Sequence, residues 1–260
     1  MDLQVVLPDE SAEMDPHHLA ELAVAAERIG YRAAWLPDHL LPPGQYGDGR
    51  YGGVYEPLVS LSYIAAHTST IGLGTSVLVL PMRSPFVVAK QAATLDRLSR
   101  ERLTLGVGIG WDRTEFEAVG SDFRTRGART DEAISLLRKL FDGSHEGGVF
   151  EPKPRRRIPI MVGGTSEPAL RRAATLADEW QAVGLSPAEF AQRLERLREL
   201  GGHGVRATTR IAWEGGAAEL AMAVEQTHAF TEAGAEAVAL WFGAHEGFAE
   251  RMVEFAEALR

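Results

Sequence analysis

The stretch LTLGVGIG at Leu103–Gly110 alternates between two kinds of residue with a period of two. One face of the strand that it predicts carries Leu103, Leu105, Val107 and Ile109, and the other carries Thr104, Gly106, Gly108 and Gly110. Glycine weakens a strand interior, so a glycine face indicates that something approaches the backbone closely. The stretch runs into Trp111, an acidic and aromatic loop, and a helix from about Gly127. This order is typical of a parallel α/β enzyme with a ligand at the strand's carboxyl end.

A second stretch, IGLGTSV at Ile71–Val77, repeats the pattern with Gly72, Gly74 and Ser76 on one face. Two interpretations are open for the glycines that lie deep in their strands, Gly72 and Gly106. They either relieve crowding in a barrel core or admit a ligand. For Ser76, Gly108 and Gly110, which lie near the strand ends, we favour the approach of a ligand.

Strands and helices alternate along the whole chain. The predicted strands are Leu3–Leu7, Ala33–Leu36, Ile71–Leu80, Leu103–Gly110, Ile158–Gly163, Glu179–Val183, Val205–Trp213 and Ala237–Phe242. The predicted helices are Pro16–Ile29, Pro57–His67, Pro85–Leu98, Gly127–Phe141, Glu167–Leu176, Pro187–Leu200, Ala217–Ala233 and Glu246–Leu259. Eight such units predict an α/β protein, a closed (β/α)8 TIM barrel that spans residues 1–260 as one domain. A doubly wound open sheet is the alternative, but the spacing of the glycines at 106–110 does not match a dinucleotide-binding fingerprint.

Composition narrows the function further. The 260 residues carry a net charge of −9, which argues against nucleic acid as a partner. The absence of cysteine excludes disulfides and thiolate chemistry. The histidines are scattered, so we expect no metal site. Without a basic amino-terminal start or an apolar run of membrane-spanning length, we expect a cytoplasmic protein with no membrane partner.

Two predicted strand ends carry residues suited to catalysis or to binding a ligand. Asp38 and His39 follow the second strand, and histidine is the usual side chain for proton transfer near neutral pH. The alternative is a capping Asp38 and a solvent-facing His39. The run from Gly163 to Ser166 ends a strand and opens a helix, where free N–H groups can bind a phosphate. An ordinary helix cap is the alternative there.

Several motifs together resemble one family. They are WLPDH (35–39), LGTSVLVLP (73–81), AKQAATLDRLS (89–99), LGVGIGW with EFEAVG (105–120), RGARTDE (126–132) and VGGTSEPALRRAA (162–174). The chain resembles the luciferase-like monooxygenase superfamily, and more narrowly its short coenzyme F420-dependent oxidoreductases. The resemblance covers most of the chain in order and fades after Trp180. It implies the same TIM barrel, with a deazaflavin ring in the barrel mouth and a phosphate near the loops after the fourth and fifth strands.

The resemblance also implies roles for individual residues. His39 would be catalytic in proton transfer, and the cofactor would contact Asp38, Ser76, Val77, Gly108, Gly110, Trp111, Gly163, Gly164 and Thr165. Ser76–Val77 would be a non-prolyl cis peptide bond behind the ring. Two departures stand out, because Arg100-Glu101 and Glu179 occupy positions where relatives tend to have glycine.

The expected activity is hydride transfer between coenzyme F420 and a small organic substrate. An FMN-dependent monooxygenase and a non-redox ligand-binding barrel are the alternatives. The resemblance also implies a homodimer. The loop Leu40–Tyr55, with Tyr46, Tyr51 and Tyr55 among glycines, is expected to form a mobile lid over the substrate.

Overall fold

The computed structural model describes residues 1–9, 14–41 and 53–260. Its strands are β1 (Asp2–Val6), β2 (Ala33–Leu36), β3 (Gly72–Thr75), β4 (Leu78–Val79), β5 (Leu103–Gly108), β6 (Ile160–Gly163), β7 (Glu179–Val183), β8 (Arg206–Ala212) and β9 (Ala237–Trp241). All of the pairings between them are parallel. Because β1 pairs with β9 and β3 pairs with β5, the sheet closes on itself. The predicted (β/α)8 barrel is therefore confirmed, and the open sheet is excluded.

Helices surround this barrel. They are α1 (Pro16–Ile29), α2 (Pro57–His67), α3 (Pro85–Leu98), α4 (Arg113–Ala118), α5 (Arg126–Asp142), α6 (Glu167–Leu176), α7 (Pro187–Glu199), α8 (Ala217–Glu232) and α9 (Phe248–Ala258). None of the helices in the described ranges has the length and apolar composition needed to cross a lipid bilayer. The loop tyrosines Tyr46 and Tyr51 lie outside the described residues, so the expected lid stays a prediction.

Two local features differ from the simplest expectation. The third predicted strand is divided into β3 and β4 at the Ser76–Val77 peptide bond, which is cis, as the resemblance implied. The short helix α4 occupies the segment after Trp111 for which the sequence suggested only a loop. Asp112 begins α4 by accepting a hydrogen bond from the Thr114 N–H at 2.8 Å. Six residues make less than two turns, so α4 is too short to show a helical period.

The two faces of the strands separate into two packing layers. The apolar face, including Leu105 and Val107, lies in the large core between the strands and the helices. The opposite face points into the barrel, where a small cluster contains Val6, Ala33, Trp35, Met161 and Ala239. The Trp35 indole donates a hydrogen bond to the Gln4 side chain at 2.9 Å. The alternation thus predicts correctly that Leu103, Leu105 and Val107 face the helices, whereas Ile109, predicted on the same face, lies at the barrel mouth.

The glycines deep in the barrel make room for neighbouring protein atoms. A Cβ on Gly106 would overlap the carbonyl oxygen of Thr75, and a Cβ on Gly74 would overlap the Trp35 ring. A Cβ on Gly72 would lie 3.1 Å from the carbonyl oxygen of Arg32. Of the two interpretations of Gly72 and Gly106, relief of crowding is therefore the one that the packing supports.

The two sequence departures lie far from the carboxyl ends of the strands. Arg100 and Glu101 have φ angles of 58° and 67°, in the left-handed region that glycine adopts more easily. They precede β5, at the amino end of the barrel. Glu179 begins β7 and accepts a hydrogen bond from Arg206 at 3.3 Å. Burial raises the pKa of Glu179, and the Arg206 guanidinium acts in the opposite direction.

We expect Gly106→Ala to destabilise the barrel by about 1–3 kcal/mol, because the new methyl group meets a backbone carbonyl that cannot rotate away. Urea unfolding followed by circular dichroism measures this change. Gly204→Ala is the control, since its Cβ would enter open space, and it should change stability by less than about 0.5 kcal/mol. Equal stability of the two variants would contradict the packing that we describe at Gly106.

Candidate active site

A pocket of about 470 Å³ lies at the carboxyl ends of the strands, where the active sites of TIM barrels are found. The predicted residues that line it are Asp38, His39, Ser76, Val77, Gly108, Gly110, Trp111, Gly163 and Gly164. Thr165 lies outside the lining. The volume is in the range of ordinary small-molecule sites. Side chains predicted from four separate segments of the sequence are thus brought together at one place.

His39 is held by a buried carboxylate. Its Nδ1 lies 3.0 Å from Oε2 of Glu115 on α4, and both side chains are about nine-tenths buried or more. The other oxygen of Glu115 accepts the backbone N–H groups of Leu40 and Leu41, at 2.7 and 3.0 Å. The Trp111 ring meets the imidazole edge-on, with a centroid distance of 5.8 Å. Since ionised Glu115 only accepts hydrogen bonds, it favours the tautomer with the proton on Nδ1 and leaves Nε2 as a proton acceptor.

Asp38 has a different set of partners. Its Oδ2 accepts the Val79 N–H at 2.8 Å, and the Arg83 guanidinium donates to both oxygens, with the closer contact at 2.6 Å. Arg83 also pairs with Glu56, which caps the start of α2. The Asp38 carboxylate is thus bound from two sides within the protein. It fixes the chain after the Ser76–Val77 bond, while its edge lines the pocket.

Val77 fills a space that two glycines leave open. A Cβ on Gly108 would lie 2.5 Å from Cγ2 of Val77, and a Cβ on Gly163 would lie 2.8 Å from Cγ1. A Cβ on Gly110 would similarly lie 2.6 Å from a methyl group of Val79. Gly108 and Gly163 therefore let the Val77 side chain sit between β5 and β6 as a fixed apolar surface. Contact of these glycines with a cofactor stays a prediction.

Ser76 and Gln181 form a buried polar pair. The Ser76 hydroxyl donates to Oε1 of Gln181 at 2.5 Å, and Gln181 is only 1% exposed. Within the described parts of the chain, Nε2 of Gln181 has no hydrogen-bond partner. A buried amide N–H without a partner costs about 1–3 kcal/mol, so such a group at a pocket wall is a ready donor for a ligand.

Two arginines also line the pocket. The Arg126 guanidinium lies 3.8 Å from the centroid of the Phe123 ring and donates to the carbonyl oxygen of Phe123 at 2.8 Å. Its buried Nε has no partner in the described ranges. Arg210, on β8, is partly buried. Burial lowers its pKa to about 10, which is still far above neutrality, so the side chain carries a positive charge.

At the junction between β6 and α6, the chain forms a candidate anion site. Ser166 is the capping residue of α6, but its side chain makes no capping hydrogen bond. Gly164 has a φ of 119°, and its carbonyl accepts the Trp180 indole N–H at 2.8 Å. The first N–H groups of a helix are free to bind an anion. The capping interpretation thus holds for the position of Ser166 but not for its side chain.

A larger groove, of about 1010 Å³, lies on the outer side of the barrel. It is formed mainly by α5 and α6 and is lined by residues such as Lys139, His145 and Arg171. It contains none of the strand-end residues. Among the described residues, no group of three or more acidic or histidine side chains could hold a metal ion. We therefore place the candidate active site at the barrel mouth.

The sequence did not reveal the roles of several residues of this site. Glu115 was one of the candidates after the fourth strand, but its contact with His39 spans 76 positions and was not predicted. Arg126 lies within the RGARTDE motif but carried no prediction. Gln181 and Arg210 lie inside strands, where a polar residue on the inward face was the available signal.

Comparisons with known proteins agree with this architecture. The model of the luciferase-like monooxygenase family matches residues 1–213. An uncharacterized protein of Mycobacterium bovis is 36% identical over 207 residues, which cover 70% of this chain and 71% of that protein. The F420-dependent glucose-6-phosphate dehydrogenase of Amycolatopsis mediterranei is 30% identical over 192 residues, 68% of this chain and 56% of that enzyme.

Solved structures share the fold at low identity. An F420-dependent secondary alcohol dehydrogenase in complex with an F420–acetone adduct has a TM-score of 0.82 at 17% identity, with 100% of both chains covered. A monooxygenase from Streptomyces bottropensis has a TM-score of 0.78 at 19% identity, with 100% of this chain and 98% of that chain covered. The family match and the dehydrogenase relatives indicate that this barrel is an enzyme of the oxidoreductase class. The chain belongs to the luciferase-like monooxygenase family.

We expect Glu115→Gln to invert the tautomer of His39, because the amide can present an N–H to Nδ1 where the carboxylate only accepts. Nitrogen-15 NMR of the histidine ring measures the tautomer directly. Glu117→Gln, on the exposed side of the same helix, should leave the His39 signals in place. Unchanged ring signals in Glu115→Gln would show that this carboxylate does not orient His39.

Proposed function

We propose that this chain is a coenzyme F420-dependent oxidoreductase that transfers a hydride between the deazaflavin and a small organic substrate. The observation that carries the proposal is His39, which is oriented by a buried carboxylate at the wall of a strand-end pocket with unpartnered donors. The names of relatives support the choice of cofactor, since several matched enzymes are F420-dependent glucose-6-phosphate dehydrogenases.

The chemistry of the pocket fits such a cofactor. A deazaflavin offers a flat apolar ring system, a polar pyrimidine edge and an anionic phosphate tail. Val77, wedged against Gly108 and Gly163, supplies a rigid apolar surface for a ring. Ser76, whose hydroxyl donates to the Gln181 amide, is held in place beside this surface. When bound, the cofactor supplies hydride chemistry at its C5 atom.

The phosphate tail needs donors at another part of the mouth. We assign this role to the start of α6, with Gly163, Gly164 and Thr165, and to the Arg126 guanidinium. The free N–H groups at the start of a helix favour an anion, and a guanidinium adds charge-assisted hydrogen bonds. Arg126 is already positioned by the Phe123 ring and carbonyl, so little ordering is needed when an anion binds.

His39 would manage the proton. Glu115 holds Nδ1, so Nε2 is the atom that takes a proton from the substrate hydroxyl during oxidation, or returns it during reduction. Glu115 also stabilises the imidazolium that results, because a carboxylate 3.0 Å away opposes its charge. Trp111 contacts the imidazole in a T-shaped arrangement and so restricts its orientation.

Reconstitution tests the cofactor assignment. Purified protein is titrated with coenzyme F420 and, separately, with FMN, and the quenching of cofactor fluorescence gives each dissociation constant. Tighter binding of F420 by about tenfold or more is the expected result. Preference for FMN would instead favour the flavin-dependent monooxygenase. No binding of either cofactor would leave a non-redox ligand-binding barrel.

His39→Ala should lower turnover by about 10²–10⁴-fold while the affinity for F420 changes little, because the residue moves a proton and does not hold the cofactor. Stopped-flow measurement of absorbance at the F420 band separates the chemical step from binding. Asp38→Ala should weaken F420 binding, since it releases Val79 and Arg83 behind the ring site. Unchanged turnover in His39→Ala would return this histidine to a packing role.

We further propose that the protein is a homodimer that pairs through α2 and α3. These two helices expose Val59, Tyr63, Phe86 and Val87, and an apolar patch of this kind favours a symmetric contact. Light scattering should give about twice the chain mass of 28.3 kDa. Phe86→Asp combined with Val87→Asp should give the monomer mass, and Met222→Asp, on α8, should not. A monomeric wild-type protein would overturn this proposal.

A further inference from the structure

Arg210 carries a charge for which the described residues supply no counter-ion. The described chain gives its guanidinium neither a hydrogen bond nor an ion pair, although it lines the pocket. The two carboxylates of the same pocket region are engaged elsewhere, Asp38 with Arg83 and Glu115 with His39. A partly buried cation without a partner is costly, so its position at a pocket wall indicates an anionic ligand.

Gln181 adds a second, independent donor on the neighbouring strand. In the parallel register of β7 and β8, Gln181 pairs with Thr208 and Val183 pairs with Arg210. Arg210 thus lies two residues further toward the mouth than the position level with Gln181, on the same inward face. Because Ser76 occupies Oε1 of Gln181, the free atom is the Nε2 donor. Two donors and no acceptor suit a group made of acceptor oxygens.

The place of this pair around the barrel separates it from the proposed cofactor contacts. The residues assigned to the ring and the phosphate lie on or after β2, β3, β4, β5 and β6. β8 is three strands away from β2 in the order β2-β1-β9-β8 and two strands away from β6 in the other direction. Arg210 and His39 therefore line the same pocket from different parts of the mouth, and β8 itself holds no assigned cofactor residue. A molecule between the two would have its reacting carbon near His39 and its far end near Arg210.

We propose that Arg210, assisted by Gln181, is the anion-recognition subsite of the substrate, so that this enzyme acts on a small organic molecule that carries a carboxylate or a phosphate group. The proposal rests on the function given above for the same pocket. An arginine fork binds either oxyanion with paired, charge-assisted hydrogen bonds. Fixing the anionic end at β8 would orient the hydroxyl or carbonyl carbon toward His39.

Binding of simple anions tests the subsite without knowledge of the substrate. F420-loaded protein, in which the tail phosphate fills its own site, is titrated by calorimetry with inorganic phosphate and, separately, with sodium acetate. At least one of the two should bind, and the preferred one distinguishes phosphate from carboxylate substrates. NMR should show a shift of the Gln181 side-chain amide during the same titration.

Three variants make the test specific. Arg210→Met should weaken anion binding by about 10–100-fold, and Arg210→Lys should retain part of it. Arg193→Met, on the exposed face of α7, removes the same charge and should leave binding within about twofold. Arg210→Met should keep its thermal stability or gain some, because an unpaired charge is lost.

Several results would overturn the subsite. They are the absence of binding by both anions, equal binding in wild type and Arg210→Met, and a loss of F420 affinity in Arg210→Met as large as the loss of anion affinity. The last result would assign Arg210 to the cofactor. If wild-type protein fails to bind F420 but binds an anion through Arg210, the deazaflavin function fails and the anion subsite stands.

Discussion

The close approach of β3 to β5 is the constraint on which the mouth of this barrel depends. Gly106 has no side chain, so the carbonyl of Thr75 can occupy the space beside it, and the Thr75 hydroxyl donates to the Gly106 carbonyl at 2.6 Å. β3 lies close against β5 at this level and ends just before the Ser76–Val77 bond. The residues that follow at the barrel mouth are positioned by this contact. Ser76 reaches Gln181, and Val77 enters the space above Gly108 and Gly163.

Two buried carboxylates at the rim, Asp38 and Glu115, have different roles. Asp38 binds a backbone N–H and an arginine, so it holds the frame in which β4 continues. Glu115 binds two backbone N–H groups with one oxygen and the imidazole with the other. Each carboxylate is satisfied within the protein, which keeps the cost of burying its charge low. The difference is that the partner of Glu115 has a second ring nitrogen left for chemistry, whereas the partners of Asp38 are structural.

The eight strand–helix units were enough to predict the barrel, and the period-two alternation predicted most of the residues that pack against the helices. The alternation is informative because each strand buries one face against helices and this face must be apolar. The same alternation could not explain the glycines. Whether Gly108 admits a ligand or the methyl groups of Val77 depends on a side chain from the junction between β3 and β4, 31 positions away in the chain. The pairing of His39 with Glu115 was hidden for the same reason, and α4, which carries Glu115, has no periodicity to detect.

Gln181 and Arg210 are site residues that the sequence could not identify. In the sequence they share their strands with other polar residues, Glu179 in β7 and Arg206, Thr208 and Thr209 in β8, so neither stands out as part of a site. Closure of the barrel turns both toward the interior, where a donor without an acceptor opposes folding. Asp38, Glu115 and Arg83 find hydrogen-bond partners within the protein. The described residues supply no partner for Nε2 of Gln181 or for the guanidinium of Arg210. Among the described residues of the mouth, unmet hydrogen-bonding capacity therefore lies on the β7–β8 wall and at Arg126, and a ligand that supplies acceptor oxygens there stabilises the folded protein as it binds.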